Sequence, residues 1–156
     1  MILDERNEFA VANTGGVAGA QATRELIGDV IDLGAAGLDI GTGEPLYLVV
    51  QVTTGFDSAA GDTDAAFELA SDSVAAIAVD GTASIHASTA LLGEEILVAG
   101  YRFVLQVPPE GSTPYERYLG VLIRRAGGEA ITVGAVSAFL TRDVNAWKAY
   151  DAPGQV

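Results

Sequence analysis

Hydrophobic and polar positions alternate most regularly from Leu46, where Leu46, Leu48, Val50 and Val52 fall on one face of a two-residue period and Tyr47, Val49, Gln51 and Thr53 on the other. This pattern predicts a strand that is half or wholly buried. The residues before it shape the entry: Pro45 removes a backbone donor and drives Glu44 toward an extended conformation, while Gly34, Gly37, Gly41 and Gly43 permit backbone angles that other residues resist. A second strong strand is expected over Tyr115 to Arg125, with Tyr118, Gly120 and Leu122 on one face and Leu119, Val121 and Ile123 on the other. Both faces are largely apolar. Such a strand belongs in the middle of a sheet, covered on both sides or touching another subunit on its second side, which predicts self-association. Gly127 and Gly128 then turn the chain into the longest expected strand, Ala130 to Thr141, whose alternation shifts phase near Val136 as a bulge would cause.

Elsewhere the pattern is weaker. Residues 1–28 mix asparagine and glycine with scattered apolar residues and read as an extended arm or an irregular strand, the kind of segment that is either disordered or becomes ordered by lying on a partner. Asp29 to Leu33 supplies a short edge strand. Gly55 to Asp64 reads as a turn region, followed by a strand with one wet face in which Phe67 and Leu69 alternate with Glu68 and Ala70; Thr63 and Asp64 equally suit the start of one helical turn. Val74 to Val79 and Thr82 to Ala87 form a predicted hairpin around Asp80 and Gly81, a pair that tolerates positive φ. Glu95 to Ala99 and Tyr101 to Val107 follow, and Pro108-Pro109 forbids continuation of that ladder. Residues 142–156 leave the last strand as an irregular tail carrying the single tryptophan. Roughly seven or eight short strands separated by turn signals predict one all-β domain over residues 1–156, a β-sandwich.

Composition narrows the function. Hydrophobic residues make up 49% of the 156 and charged residues 19%, which suits a packed domain and not a disordered chain. A formal charge of −13 repels nucleic acid phosphates and anionic membranes, so neither is expected as a partner. With no cysteine there is no disulfide and no thiolate chemistry. The N-terminus is charged from Asp4 onward and predicts no secretory signal, and apolar runs stop well short of the ~18 residues that cross a bilayer.

Candidate chemistry is thin. Asp57, Asp62 and Asp64 crowd one stretch, yet their spacing does not match a calcium loop, and a solvated acidic loop is the plainer reading. His86, the single histidine, lacks companions for a typical zinc site. Ser84 and His86 lie about 7 Å apart on one strand face, near Asp80 but without a nucleophile elbow. Glu94 and Glu95 face opposite sides of a strand and serve better to blunt an edge than as a paired acid and base. Gly41-Thr42-Gly43 precedes a strand, not the helix that a phosphate loop requires. No catalytic residue, metal or cofactor is therefore expected.

Five segments carry a resemblance: MILDERNEFA at Met1 to Ala10, IDLGAAGLDIGTGEPLYLVVQV at Ile31 to Val52, VAGYRFVLQVPP at Val98 to Pro109, ERYLGVLIRR at Glu116 to Arg125 and ITVGAVSAFLTRDVNAWKAY at Ile131 to Tyr150. Together they resemble the capsid cement, or decoration, proteins of Bordetella-type tailed phages. The acidic, alanine-rich insert at 56–73 does not match residue by residue. The resemblance implies a jelly roll and a structural, non-enzymatic virion protein, made in the host cytoplasm. It would bind the outer face of an assembled head, bridge neighbouring major capsid proteins and stabilise the shell. It also implies a homo-oligomer, a dimer in preference to a trimer. Arg117, Arg124, Arg125, Arg142 and Lys148 place five of eight basic residues in the last third, a possible positive face for an acidic capsid surface as well as a plain source of solubility. Trp147 and Tyr150 lie past the last strand and suit interface anchors. The interface candidates are thus Arg117, Tyr118, Arg142, Trp147, Lys148 and Tyr150. The alternative is a lectin-like or adhesin-like sandwich on a virion or cell surface, which needs aromatic platforms on a concave face, whereas the aromatics here are scattered.

Overall fold

The computed structural model describes residues 7–11, 16–20, 23–34, 40, 44–109 and 113–144. Among these residues the chain forms nine strands: β1 (Glu8–Ala10), β2 (Arg24–Asp32), β3 (Tyr47–Ser58), β4 (Thr63–Asp72), β5 (Ser84–Ser88), β6 (Leu92–Gly93), β7 (Arg102–Gln106), β8 (Tyr118–Gly127) and β9 (Ile131–Thr141). They build two antiparallel sheets, one ordered β1-β9-β3-β7 and the other β2-β8-β4-β5 with β6 also on β4. The pairing is nested: β1 with β9, β2 with β8, β3 with β7 and β4 with β5, as in a long hairpin rolled over itself. The expected all-β sandwich is what forms.

Alternation explains which side chains fill it. Leu48, Val50 and Val52 of β3, Phe67 and Leu69 of β4, Leu119, Val121 and Ile123 of β8 and Val136, Ala138 and Leu140 of β9 meet between the sheets. Phe67 is the aromatic centre, edge-on to Phe56 with centroids 6.2 Å apart and tilted against Phe103 at 5.3 Å, the arrangements that ring quadrupoles favour. The phase shift near Val136 is present. Val52 faces Val136 but Thr54 faces Ala135, so the extra residue lies on β3, which at 12 residues is also longer than β9.

Five expectations need correction. The stretch from Gly55 to Asp64 is not mainly a turn, since β3 runs on to Ser58 and β4 starts at Thr63, and β4 is not wet on one face, because Glu68 is buried between two arginines. The predicted hairpin loses its first strand: the Asp72 carboxylate accepts from the amides of Val74 and Ala78 and wraps this segment into a loop, although Gly81 does hold φ near +98°. No strand covers Glu95 to Ala99, where Ile96 and Leu97 amides donate back to Gly93 as a turn. Finally, much of the presumed arm is sheet. Phe9, Ala10, Val17 and Ile27 are core residues, Gly16 and Gly19 bridge to β9, and β2 is a nine-residue strand. The described part of this segment packs on its own chain.

The second face of β8 is likewise covered from within. Ile77 and Ala83 of the loop after β4 pack with Ala70 and Leu122, flanked by Leu26 and Val30. A Cβ on Gly120 would stand 2.5 Å from Ile77 Cδ1 and 2.8 Å from Leu26 Cδ1, so a strand with no side chain at this point lets the loop close down. Apolarity on both faces of β8 therefore gives no reason for self-association.

Candidate docking surface

Of the expected interface residues, Arg117, Tyr118 and Arg142 lie at one end of the sandwich. β8 begins and β9 ends away from the turn at 128–130 that joins them, so Arg117 and Tyr118 on one sheet and Arg142 beyond the other share that end. Loops carrying Leu33, Leu46, Val107 and Pro108 meet there, tied by the amide of Leu33 donating to the Arg117 carbonyl and that of Val107 donating to the Leu46 carbonyl. Trp147, Lys148 and Tyr150 lie outside the described residues, as do Gly37 and Gly41-Thr42-Gly43.

These arginines do not make a positive face. Arg117 forms a two-pronged pair with Asp32, Nε to Oδ1 at 2.9 Å and Nη2 to Oδ2 at 2.8 Å, and lies 5.0 Å from the Tyr118 ring centre. Its hydrogen bond, with that of the Gly34 amide, holds the Asp32 carboxyl at about 2. Arg142 pairs with Glu44 at 3.0 Å. Both pairs are exposed and contribute little to stability, but each cancels the charge expected to attract an acidic partner. Arg125 is withdrawn altogether. Its guanidinium is buried against the carbonyls of Val17 and Ala18 and pairs with Glu25.

Sequence order hid the polar centre of the molecule. Glu68 on β4 accepts from Arg24 Nε at 2.8 Å and from Arg124 Nε at 2.8 Å, one arginine per carboxylate oxygen. Arg24 lay in the presumed arm and Glu68 on the presumed wet face. A lone acid flanked by AAF and LAS was the available signal, since such a residue in a buried strand must find cations.

His86 also has a different partner from the one its spacing suggested. Its Nε2 lies 2.7 Å from Ser71 Oγ, whereas Ser84 Oγ donates to Glu116 Oε1 at 3.0 Å. The ring stacks on Tyr115 with centroids 3.8 Å apart. Although Ser71 and His86 have the separation of a nucleophile and its base, Ser71 is fully buried and its oxygen already accepts the amide of Glu116. The group ties the turn at 115–117 to β4 and β5. Burial lowers the His86 pKa, against the opposing pull of Glu116, and raises the Tyr115 hydroxyl to about 12 while it donates to the Pro108 carbonyl at 2.6 Å. Asp57, Asp62 and Asp64 do not converge: Asp57 lies opposite Val133 on β3, Asp64 opposite Ala126 on β4, and Asp62 between those strands lends its backbone carbonyl to the amides of Gly128 and Glu129.

Two sheets in a nested antiparallel arrangement, with ion-paired loops at one end, define an all-β sandwich domain. The family model of Bbp16 matches residues 12–140, most of the chain, and the chain belongs to this Bordetella phage protein family. No curated protein matches it.

Proposed function

We propose that this chain is a capsid cement protein, which binds the outer surface of an assembled phage head and bridges neighbouring major capsid proteins. The observation that carries the reading is membership of a phage protein family over residues 12–140. The sandwich agrees with a structural role, because its rigid core presents loops at one end for docking, and many weakly held copies on a symmetric shell act together. Its nested strand pairing supports a jelly roll. Trp147, Lys148 and Tyr150, which follow the last strand in the sequence, act as docking anchors together with Arg142, Arg117 and Tyr118. Self-association, as a dimer, uses the open side of the sandwich, where Ile85 of the outer strand β5 and Tyr101 and Val104 at the outer strand β7 are exposed.

Purified protein added to undecorated heads tests the reading. The expected result is saturable binding to the outer surface and a higher temperature of head disruption. Heads that bind no protein under conditions in which it is folded overturn it.

A further inference from the structure

Glu68 is 4% exposed, and its two arginines come from neighbouring strands in which Arg24 and Arg124 are direct partners. Two cations placed opposite one another repel, and a buried carboxylate without a cation is costly; the triad relieves both. It leaves a remainder. Two guanidinium groups and one carboxylate sum to one positive charge, whereas Arg117, Arg125 and Arg142 are each matched by an acid of their own.

The unused donors face a cleft. An arginine carries five N–H donors, and Glu68 takes one from each, at Nε, so the Nη groups of both stay free of hydrogen bonds among the described residues. Their side chains remain 31% and 33% exposed. They line a cleft of about 650 Å³ between the strand ends and the loop after β4, with Thr23, Gly127 and Val79 on its walls and Asp80 at its rim.

We propose that this cleft binds a carboxylate presented by an acidic side chain of a protein partner. A planar carboxylate matches the fork of a guanidinium, and Glu68, by holding both Nε atoms, fixes the direction of the free edges before any ligand arrives. Charge selects among anions. One negative charge neutralises the remainder, while a dianion such as phosphate also meets Asp80 and the field of a chain at −13. The partner's identity as an acidic patch on the shell rests on the cement reading; the cleft's chemistry does not.

A glutamate-rich peptide titrated into the full chain, followed by amide shifts, tests the proposal. Saturable shifts are expected at Thr23, Arg24 and Gly127, with about tenfold weaker binding in Arg124→Gln, the loss of one charge-assisted contact. Arg102→Gln, which removes the same charge from β7 in the opposite sheet, leaves the affinity unchanged. Arg124→Lys keeps the cation beside Glu68 and removes the fork, so it folds and still binds more weakly than wild type. Equal affinity in Arg124→Gln, Arg124→Lys and wild type overturns the proposal. Absence of saturable shifts, or tighter binding of inorganic phosphate than of peptide, does the same. Heads that bind wild-type protein while the peptide does not would sink the cleft and leave the cement reading standing; peptide binding without head binding would do the reverse.

Discussion

Replacing Arg125 by alanine removes the side chain that pins the N-terminal segment to the sandwich. Its guanidinium, 2% exposed, donates from Nε and Nη2 to the Val17 carbonyl at 3.0 Å each, from Nη2 to the Ala18 carbonyl at 3.3 Å and from Nη1 to Thr23 Oγ1 at 3.2 Å. The losses are unequal. Glu25 is 57% exposed, so its freed carboxylate returns to water, and that pair contributes about 1 kcal/mol at most. Ala18 is exposed and its carbonyl rehydrates as well. Val17 is fully buried, and its carbonyl loses both donors, which costs about 1–3 kcal/mol for a stranded acceptor. The buried aliphatic stem adds about 2 kcal/mol at ~0.8 kcal/mol per methylene. With partial entry of water the sum is about 3 kcal/mol, or a fall in melting temperature of roughly 6–12 °C for a domain of this size. Calorimetry on the full chain measures it, and hydrogen exchange locates it: the Val17 and Gly19 amides, which donate to the Gly134 and Ile131 carbonyls, lose protection before those of β8. A fall of less than about 3 °C, or unchanged protection at Val17, refutes the reasoning that this arginine is the tie.

Gly28 holds φ at +64°, and a Cβ there would sit on the carbonyl oxygen of Phe9, so Gly28→Ala should cost about 2 kcal/mol or more in urea unfolding; an unchanged midpoint would mean that β1 and β2 do not pack as described. His86 has a folded pKa lowered chiefly by burial, so the unfolded chain binds the extra proton first. Its contribution to stability is present above the ordinary value of 6.5 and is lost as pH falls from there through the folded pKa. Urea midpoints at pH 7 and pH 5 should therefore differ less in His86→Gln than in wild type, and an identical pH dependence would remove His86 from the account.

Local alternation was enough to find β3, β8 and β9, including the phase shift near Val136, because each carries its own apolar face. It failed where the deciding partner is distant in the chain. Glu68 looks wet in its own window, yet its two cations stand 44 and 56 residues away. β1 has three residues and no pattern to speak of, and it is a strand because β9 offers it an edge. Asp80-Gly81 does make its turn, while the strand expected before it is lost to the Asp72 carboxylate, a competition between side chain and ladder that periodicity does not record.

The same distinction governs the docking surface. Five basic residues counted in the last third of the chain suggested a positive face, but a count of residue types carries no information about which charges are already matched. Register supplies it. Arg117 and Arg142 are neutralised at the surface, Arg125 is spent inside, and Arg124 becomes part of an unmatched charge only because β2 places Arg24 directly across from it over a single buried acid. On a chain of net −13, a cationic docking point is thus a product of strand pairing, and it stands at a place where composition gave no reason to look.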